Sequence, residues 1–172
     1  MDLRDDTDER PSALWARMTD LERLAAAEAF WSDQESRELH AEAIHLIADR
    51  MKFRPRSVHG LPIGKKARYL ASTGRLPDSI AGRALVALHL AARRPMMAMF
   101  LDALGVAHQQ GLITGDDVTL SDAARVRRAV TDLAAAYPAR DVALYLSTLR
   151  TQDPETWGAL AGCPESHLGP PA

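Results

Sequence analysis

Residues 78–104 read DSIAGRALVALHLAARRPMMAMFLDAL and form the most apolar stretch of the chain. Between residues 84 and 92 the only strongly polar side chain is His89, and between residues 95 and 101 there is none. Helical turns that are apolar nearly all round are typical of helices buried in a core. We therefore predict that this stretch forms the centre of the fold.

Pro95 divides the stretch into two predicted helices, because proline lacks the amide hydrogen and clashes with the preceding helical turn. We expect the two helices to meet near Arg94 and the second to end at Gly105, where a residue without Cβ can adopt the left-handed conformation. The side chains predicted to be buried at the centre of the fold are Leu85, Val86, Leu88, Leu90, Met97, Phe100 and Leu101.

Composition favours an all-α protein. The chain has 172 residues, 47% of them hydrophobic but only 5% aromatic, and Ala and Leu are abundant. A single domain of this length can bury roughly 70% of its unfolded surface, so it folds without disulfides or metals. We predict a single compact, irregular bundle of six to eight helices around the central apolar helix pair.

Four prolines favour a second architecture. Pro11, Pro55, Pro95 and Pro138 each stand at a predicted helix start, at spacings of 44, 40 and 43 residues. This spacing is close to the roughly 40 to 47 residue period of HEAT and armadillo repeats. The alternative fold is therefore a short α-solenoid of about three helical pairs, although chance spacing among ten prolines gives the same pattern.

The chain is predicted to have three parts: a disordered acidic tail at residues 1–10, a single helical domain at residues 11–161, and a flexible tail rich in Gly and Pro at residues 162–172. The start of the chain has no basic segment or apolar run of a secretory signal, and one cysteine cannot form an internal disulfide. No uninterrupted apolar run approaches the roughly 20 residues of a membrane span. We expect a cytoplasmic protein.

Two long helices are predicted in the N-terminal part of the domain. The first begins at Pro11 or Ser12 and continues to Phe30. Ser32 and Glu35 have the spacing of a capping box, which predicts a second helix from there to Phe53.

Charge is unevenly distributed along the chain, although the net charge is only −2. Residues 1–49 contain 13 acidic and 5 basic side chains, whereas residues 50–77 contain 8 basic side chains and no acidic ones. We expect the two segments to pack together with their opposite charges paired. The alternative is an anion-binding surface, with Lys65, Lys66 and Arg68 as its candidate residues.

Nucleic acid is the obvious polyanion for residues 50–75, but specific DNA recognition is not expected. The helix that follows this segment is too apolar to lie exposed in a major groove. Non-specific nucleic-acid binding through residues 50–75 remains an alternative function.

The loop at residues 105–119 is the best candidate for a binding site, since long loops in compact domains are often functional. The candidate ligand- or partner-binding residues around it are Arg93, Arg94, Asp102, His108 and Gln109. The alternative function is a small-molecule-binding protein or an enzyme. Such an enzyme would use Asp102 and His108 as an acid/base pair, and Arg93 or Arg94 would bind an anionic group of the substrate.

No motif in the chain is specific enough to name a reaction. The segment GLPIGKK lacks the Walker spacing, and Glu42 with His45 has no second Glu-x-x-His to complete a di-metal site. No metal or cofactor is predicted. The sequence thus predicts a non-catalytic interaction or regulatory module that binds an unknown protein partner or self-associates.

Overall fold

The computed structural model describes residues 9–171, so most of the predicted tail at residues 1–10 lies outside the described residues. The ten α-helices are α1 (Pro11–Ala16), α2 (Asp20–Ser32), α3 (Arg37–Met51), α4 (Pro55–His59), α5 (Ile63–Ala71), α6 (Asp78–Ala92), α7 (Arg94–Leu104), α8 (Ala123–Ala136), α9 (Ala139–Gln152) and α10 (Pro154–Trp157). Strands β1 (His108–Gln109) and β2 (Leu112–Ile113) form a small antiparallel hairpin. Short 3-10 helices cover Gln34–Ser36, Gly158–Gly162 and Pro164–Ser166.

The all-α prediction is confirmed, but the described chain has more helices than the six to eight predicted. Three of the extra elements are short helices of four to six residues, α1, α4 and α10. Each has a proline in its first turn, where the missing amide hydrogen costs no hydrogen bond. Proline therefore starts additional short helices here as well as interrupting long ones.

The first predicted helix is broken between α1 and α2 by a capping box. The Thr19 hydroxyl accepts a hydrogen bond from the Glu22 amide at 3.2 Å, and the Glu22 carboxylate accepts one from the Thr19 amide at 2.8 Å. The capping box predicted at Ser32 was wrong, because Ser32 is the last residue of α2. Asp33 instead accepts from the Glu35 amide at 3.1 Å and caps a short 3-10 turn.

Helices α6 and α7 follow the prediction: α6 ends at Ala92, α7 begins at Arg94, and Gly105 ends α7 with a φ of 68°. The helices are bent by 95° at their junction. Within residues 9–171 no single helix is long and apolar enough to cross a bilayer, and only this bent pair taken together meets that test. Of the seven side chains predicted to be central, Val86 and Leu90 are only half-buried and the other five are buried.

The core consists of two apolar clusters, and the bend divides the α6–α7 pair between them. The first cluster contains side chains of α1 to α6, and the second contains side chains of α7 to α10. Helix α9 belongs to both, since Leu144 packs in the first cluster while Tyr145 and Leu146 pack in the second. Two elements therefore connect the two apolar clusters: the predicted α6–α7 pair and helix α9.

Helices distant in the chain are in contact. Helix α1 packs against both α6 and α9. Arg140 on α9 forms an ion pair with Glu22 on α2 at 2.5 Å, and Arg150 forms one with Glu9. Repeats of a solenoid contact mainly their neighbours, so these contacts favour the compact arrangement over the solenoid.

The packed part of the chain extends beyond its predicted end at residue 161. Cys163, Ser166 and Leu168 are buried. The Ser166 hydroxyl donates to the Leu160 carbonyl at 2.6 Å, and the Ser147 hydroxyl on α9 donates to the Ser166 carbonyl at 2.7 Å. These buried hydrogen bonds hold a segment whose Gly and Pro content indicated only a flexible tail.

Candidate functional site

Asp102 and His108 are in contact, as the acid/base hypothesis required. Asp102 lies in the last turn of α7, and His108 begins the hairpin. Their Oδ1 and Nε2 atoms are 2.7 Å apart, and the Gly111 amide donates to His108 Nδ1 at 3.1 Å. Because Nδ1 accepts, the neutral imidazole carries its hydrogen on Nε2 and donates it to Asp102. Both ring nitrogens are thus occupied in holding the hairpin against α7.

The two adjacent arginines go to different parts of the fold. Arg94 Nη1 donates to the Gln110 carbonyl at 3.0 Å and so also holds the hairpin. Arg93 forms an ion pair with Asp141 on α9 at 3.0 Å and contacts His89. Gln109 is exposed and pairs with Leu112 across the hairpin. The structure therefore brings Arg94, but not Arg93, to the hairpin that contains His108.

His89 lies in a buried polar cluster between α6 and α9 and is only 1% exposed. Its Nε2 is 3.0 Å from the Thr148 hydroxyl, which donates its own hydrogen to the Leu144 carbonyl at 2.7 Å. Nε2 therefore carries the hydrogen, and Nδ1 faces an Arg93 guanidinium nitrogen at 3.4 Å. Burial, with a further contribution from the Arg93 charge, lowers the pKa of His89 from 6.5 to about 3. This neutral histidine has a structural role in the core.

The side chains that commonly bind metals do not come together in the described part of the chain. No group of three or more His, Cys, Asp or Glu side chains among residues 9–171 could hold a metal ion. Glu42 and His45 are both exposed on α3. Burial, together with the charge of Glu165, raises the pKa of the Cys163 thiol and keeps it protonated.

The segment at residues 50–75 forms what we call the basic surface. None of its cationic residues forms an ion pair with a carboxylate of residues 9–171. Lys66 is half-buried, and the other seven residues are exposed. The eight cationic residues are Arg50, Lys52, Arg54, Arg56, Lys65, Lys66, Arg68 and Arg75.

The acidic and basic segments pack together through α2 and α5, but the charge pairing expected between them is not found among the described residues. Asp33 pairs with Arg83 at 2.6 Å and Glu22 with Arg140 at 2.5 Å, so acidic side chains of α2 and its end bind arginines from later in the chain. Helix α5 packs mainly on α2 and buries its Ala67 and Leu70. At 100° per residue, the opposite face of α5 carries the outward-pointing cations.

The three anion-binding candidates lie at different places on α5. Lys65 and Arg68 are exposed, one helical turn apart, and the Arg68 Nε donates only to the Gly64 carbonyl at 3.3 Å. The Lys66 ammonium instead lies 4.9 Å from the ring centroid of Trp31 in a cation–π contact. The structure thus places Lys65 and Arg68 on one free face and directs Lys66 to the protein.

An aromatic side chain belongs to this surface, and sequence reasoning missed it. Phe53 directly follows the end of α3 and is 41% exposed. Its ring meets that of Tyr69 at 5.8 Å with an interplanar angle of 80°. A signal is present in the sequence, since Phe53 stands between Lys52 and Arg54, but the pattern predicts it only as the last residue of a helix.

A groove between α2 and α5 borders the basic surface at Arg68. Its volume is about 410 Å³, and it is lined by Asp20, Arg23, Leu24, Arg68, Ala71 and Ser72. Arg23 is held there by hydrogen bonds to the carbonyls of Trp15 and Ala16 at 3.0 and 2.9 Å. The groove is shallow, and its lining carries both acidic and basic side chains. It therefore extends the basic surface but does not form a separate enclosed binding site.

Comparison of the chain with protein-family models, with curated proteins and with solved structures gave no significant match.

Proposed function

We propose that this protein is a non-catalytic interaction module that binds an anionic partner through its basic surface. One observation carries the proposal: eight cationic side chains within residues 50–75 have no carboxylate among them and form no ion pair with residues 9–171. These charges are not neutralised within the described residues, and those of Lys65 and Arg68 also point away from the protein, so they are available to a polyanion. Binding would release the counterions of that polyanion.

The hairpin geometry supports a binding module over the acid/base alternative. Both nitrogens of His108 are engaged, one by Asp102 and one by the Gly111 amide. An acid/base role requires a ring nitrogen that can reach a substrate. Here both hydrogen bonds of the imidazole hold the hairpin against α7 instead. The exposed hairpin residues Gln109 and Leu112 remain candidates for a protein partner or for self-association.

The proposal is tested by titrating the protein with inorganic polyphosphate and measuring its affinity by isothermal titration calorimetry at low and at moderate salt. The double variant Lys65→Gln/Arg68→Gln removes two exposed cations of α5, and Arg127→Gln/Arg128→Gln removes two exposed cations of α8 as a matched control. We expect the first variant to weaken binding and to reduce the slope of log affinity against log salt. The reduction is about 1.4 if each of the two lost contacts contributes the roughly 0.7 that holds for single-stranded nucleic acid.

Two results would overturn the proposal. One is the absence of polyphosphate binding at low salt by the unchanged protein. The other is an equal loss of affinity in the α5 and α8 variants, which would mean that only the overall charge of the molecule matters.

A further inference from the structure

We infer that the anionic partner is single-stranded nucleic acid, with its phosphates on Lys65 and Arg68 and a base stacked on Phe53. This inference rests on the proposed function and adds the class of partner. Sites for single strands combine cations that follow the backbone with aromatic rings that stack bases, and they need no sequence-specific hydrogen bonds.

Phe53 has the position such a ring needs. Lys52, with a φ of 59°, ends α3 in the left-handed conformation, so the chain turns and leaves Phe53 at the surface. In an edge-to-face contact only one face of one ring is covered by the other ring. Phe53 is 41% exposed, and at least one face of its ring is free of Tyr69. The inferred site places the base on that face.

The cations lie beside this aromatic pair. Lys65 precedes Tyr69 by four residues on the exposed side of α5, which places their Cβ atoms roughly 5 to 6 Å apart. Arg68 follows Lys65 by three residues on the same side, and Tyr69 contacts Phe53. Ring and cations therefore form one continuous surface, and a single strand can place backbone and base on it together.

Double-stranded DNA and acidic peptides fit this surface less well. A duplex is read in its major groove by an exposed helix, whereas α4 has only five residues and α5 buries Ala67 and Leu70 against α2. An acidic peptide would contact the cations but has no flat base to stack on the Phe53 ring. Bases have a π-face whatever their sequence, so an exposed ring among cations suits an unpaired strand.

Fluorescence anisotropy at low salt tests the inference with three labelled probes. The first is oligothymidylate of about 15 nucleotides, the upper range of such sites. The second is an abasic oligomer of the same length, which keeps the phosphates and lacks the bases. The third is a glutamate-rich peptide. The variants are Phe53→Leu, which removes the ring and keeps an apolar side chain, and Ile63→Ala, which alters another exposed apolar residue of the surface.

We expect Phe53→Leu to weaken oligothymidylate binding about 5- to 140-fold, the usual effect of losing one base-stacking ring. Binding of the abasic oligomer should not change in that variant, and Ile63→Ala should behave as the unchanged protein with both nucleic acids. Thermal unfolding of each variant checks that the fold is retained, as both positions are exposed.

The outcomes separate the inference from the proposed function. Equal binding of oligothymidylate and abasic oligomer, with no effect of Phe53→Leu, would overturn base recognition while leaving a polyanion-binding surface intact. Tighter binding of the glutamate-rich peptide would identify an acidic protein as the partner and also overturn the inference. Absence of binding by all three probes and by polyphosphate would overturn both.

Discussion

His89 should make the stability of this protein depend on pH in a range where carboxylates do not titrate. The substitution His89→Gln replaces the imidazole with a group that can still donate to the Thr148 hydroxyl but cannot gain a charge. The charged groups around His89 are Arg93, which faces its Nδ1, and Asp141, which pairs with Arg93. The phenol of Tyr145 also packs against it, and burial raises the pKa of that phenol.

The sign and size of the effect follow from the lowered pKa of His89. In the unfolded chain the His89 imidazole binds a proton below pH 6.5, whereas in the folded protein it does so only below about pH 3. The unfolded state therefore binds more protons in this interval, and the free energy of unfolding decreases as the pH falls, by about 1.4 kcal/mol per pH unit. Between about pH 7.5 and about pH 5 we expect a loss of about 2 kcal/mol.

Urea denaturation of the unchanged protein and of His89→Gln across this interval measures the effect. Glu22 and Asp33 also have lowered pKa values, so their stabilising contribution is lost as the pH falls below their ordinary values of 4.5 and 3.8. Both lie outside the interval. His45→Gln, at an exposed position of α3, serves as the control and should keep the original pH dependence. Parallel pH profiles for the unchanged protein and His89→Gln would refute the reasoning.

Two further substitutions test the packing around the hairpin and in the second cluster by urea unfolding. Gly111→Ala should destabilise by about 1 to 3 kcal/mol, because a Cβ there would lie 2.7 Å from Met97 Cβ at a φ of 88°; Gly115→Ala, with open space around it, should cost much less. Tyr145→Phe should leave stability unchanged or raise it by about 1 kcal/mol, because the buried hydroxyl has no hydrogen-bond partner among residues 9–171. A clear loss would show that this hydroxyl is hydrogen-bonded in solution.

The sequence alone was sufficient for the elements that local chemistry specifies. The helix break at Pro95 and the helix end at Gly105 follow from the backbone restrictions of proline and the freedom of glycine, and both are found in the structure. The all-α class follows from a composition rich in Ala and Leu and poor in aromatic residues. These features depend on residues within one or two turns of each other.

Local sequence could not choose between two capping boxes of equal spacing. Thr19 with Glu22 and Ser32 with Glu35 both have the pattern, but only the first is formed. The Glu22 carboxylate of the formed box also binds Arg140, which lies 118 residues further along the chain. A helix start thus depends on tertiary contacts as well as on its own capping residues.

The candidate sites show the same division. That residues 50–77 are uniformly basic is evident from the sequence alone, and so is the candidacy of Asp102 and His108. Whether the basic side chains were neutralised depended on how the helices packed, and Asp33 and Glu22 of the acidic segment bind Arg83 and Arg140 rather than cations of residues 50–77. Charge along a chain is a local property, whereas an ion pair joins residues that only the packing of helices brings within a few ångströms, so tertiary structure alone decided which cations face solvent.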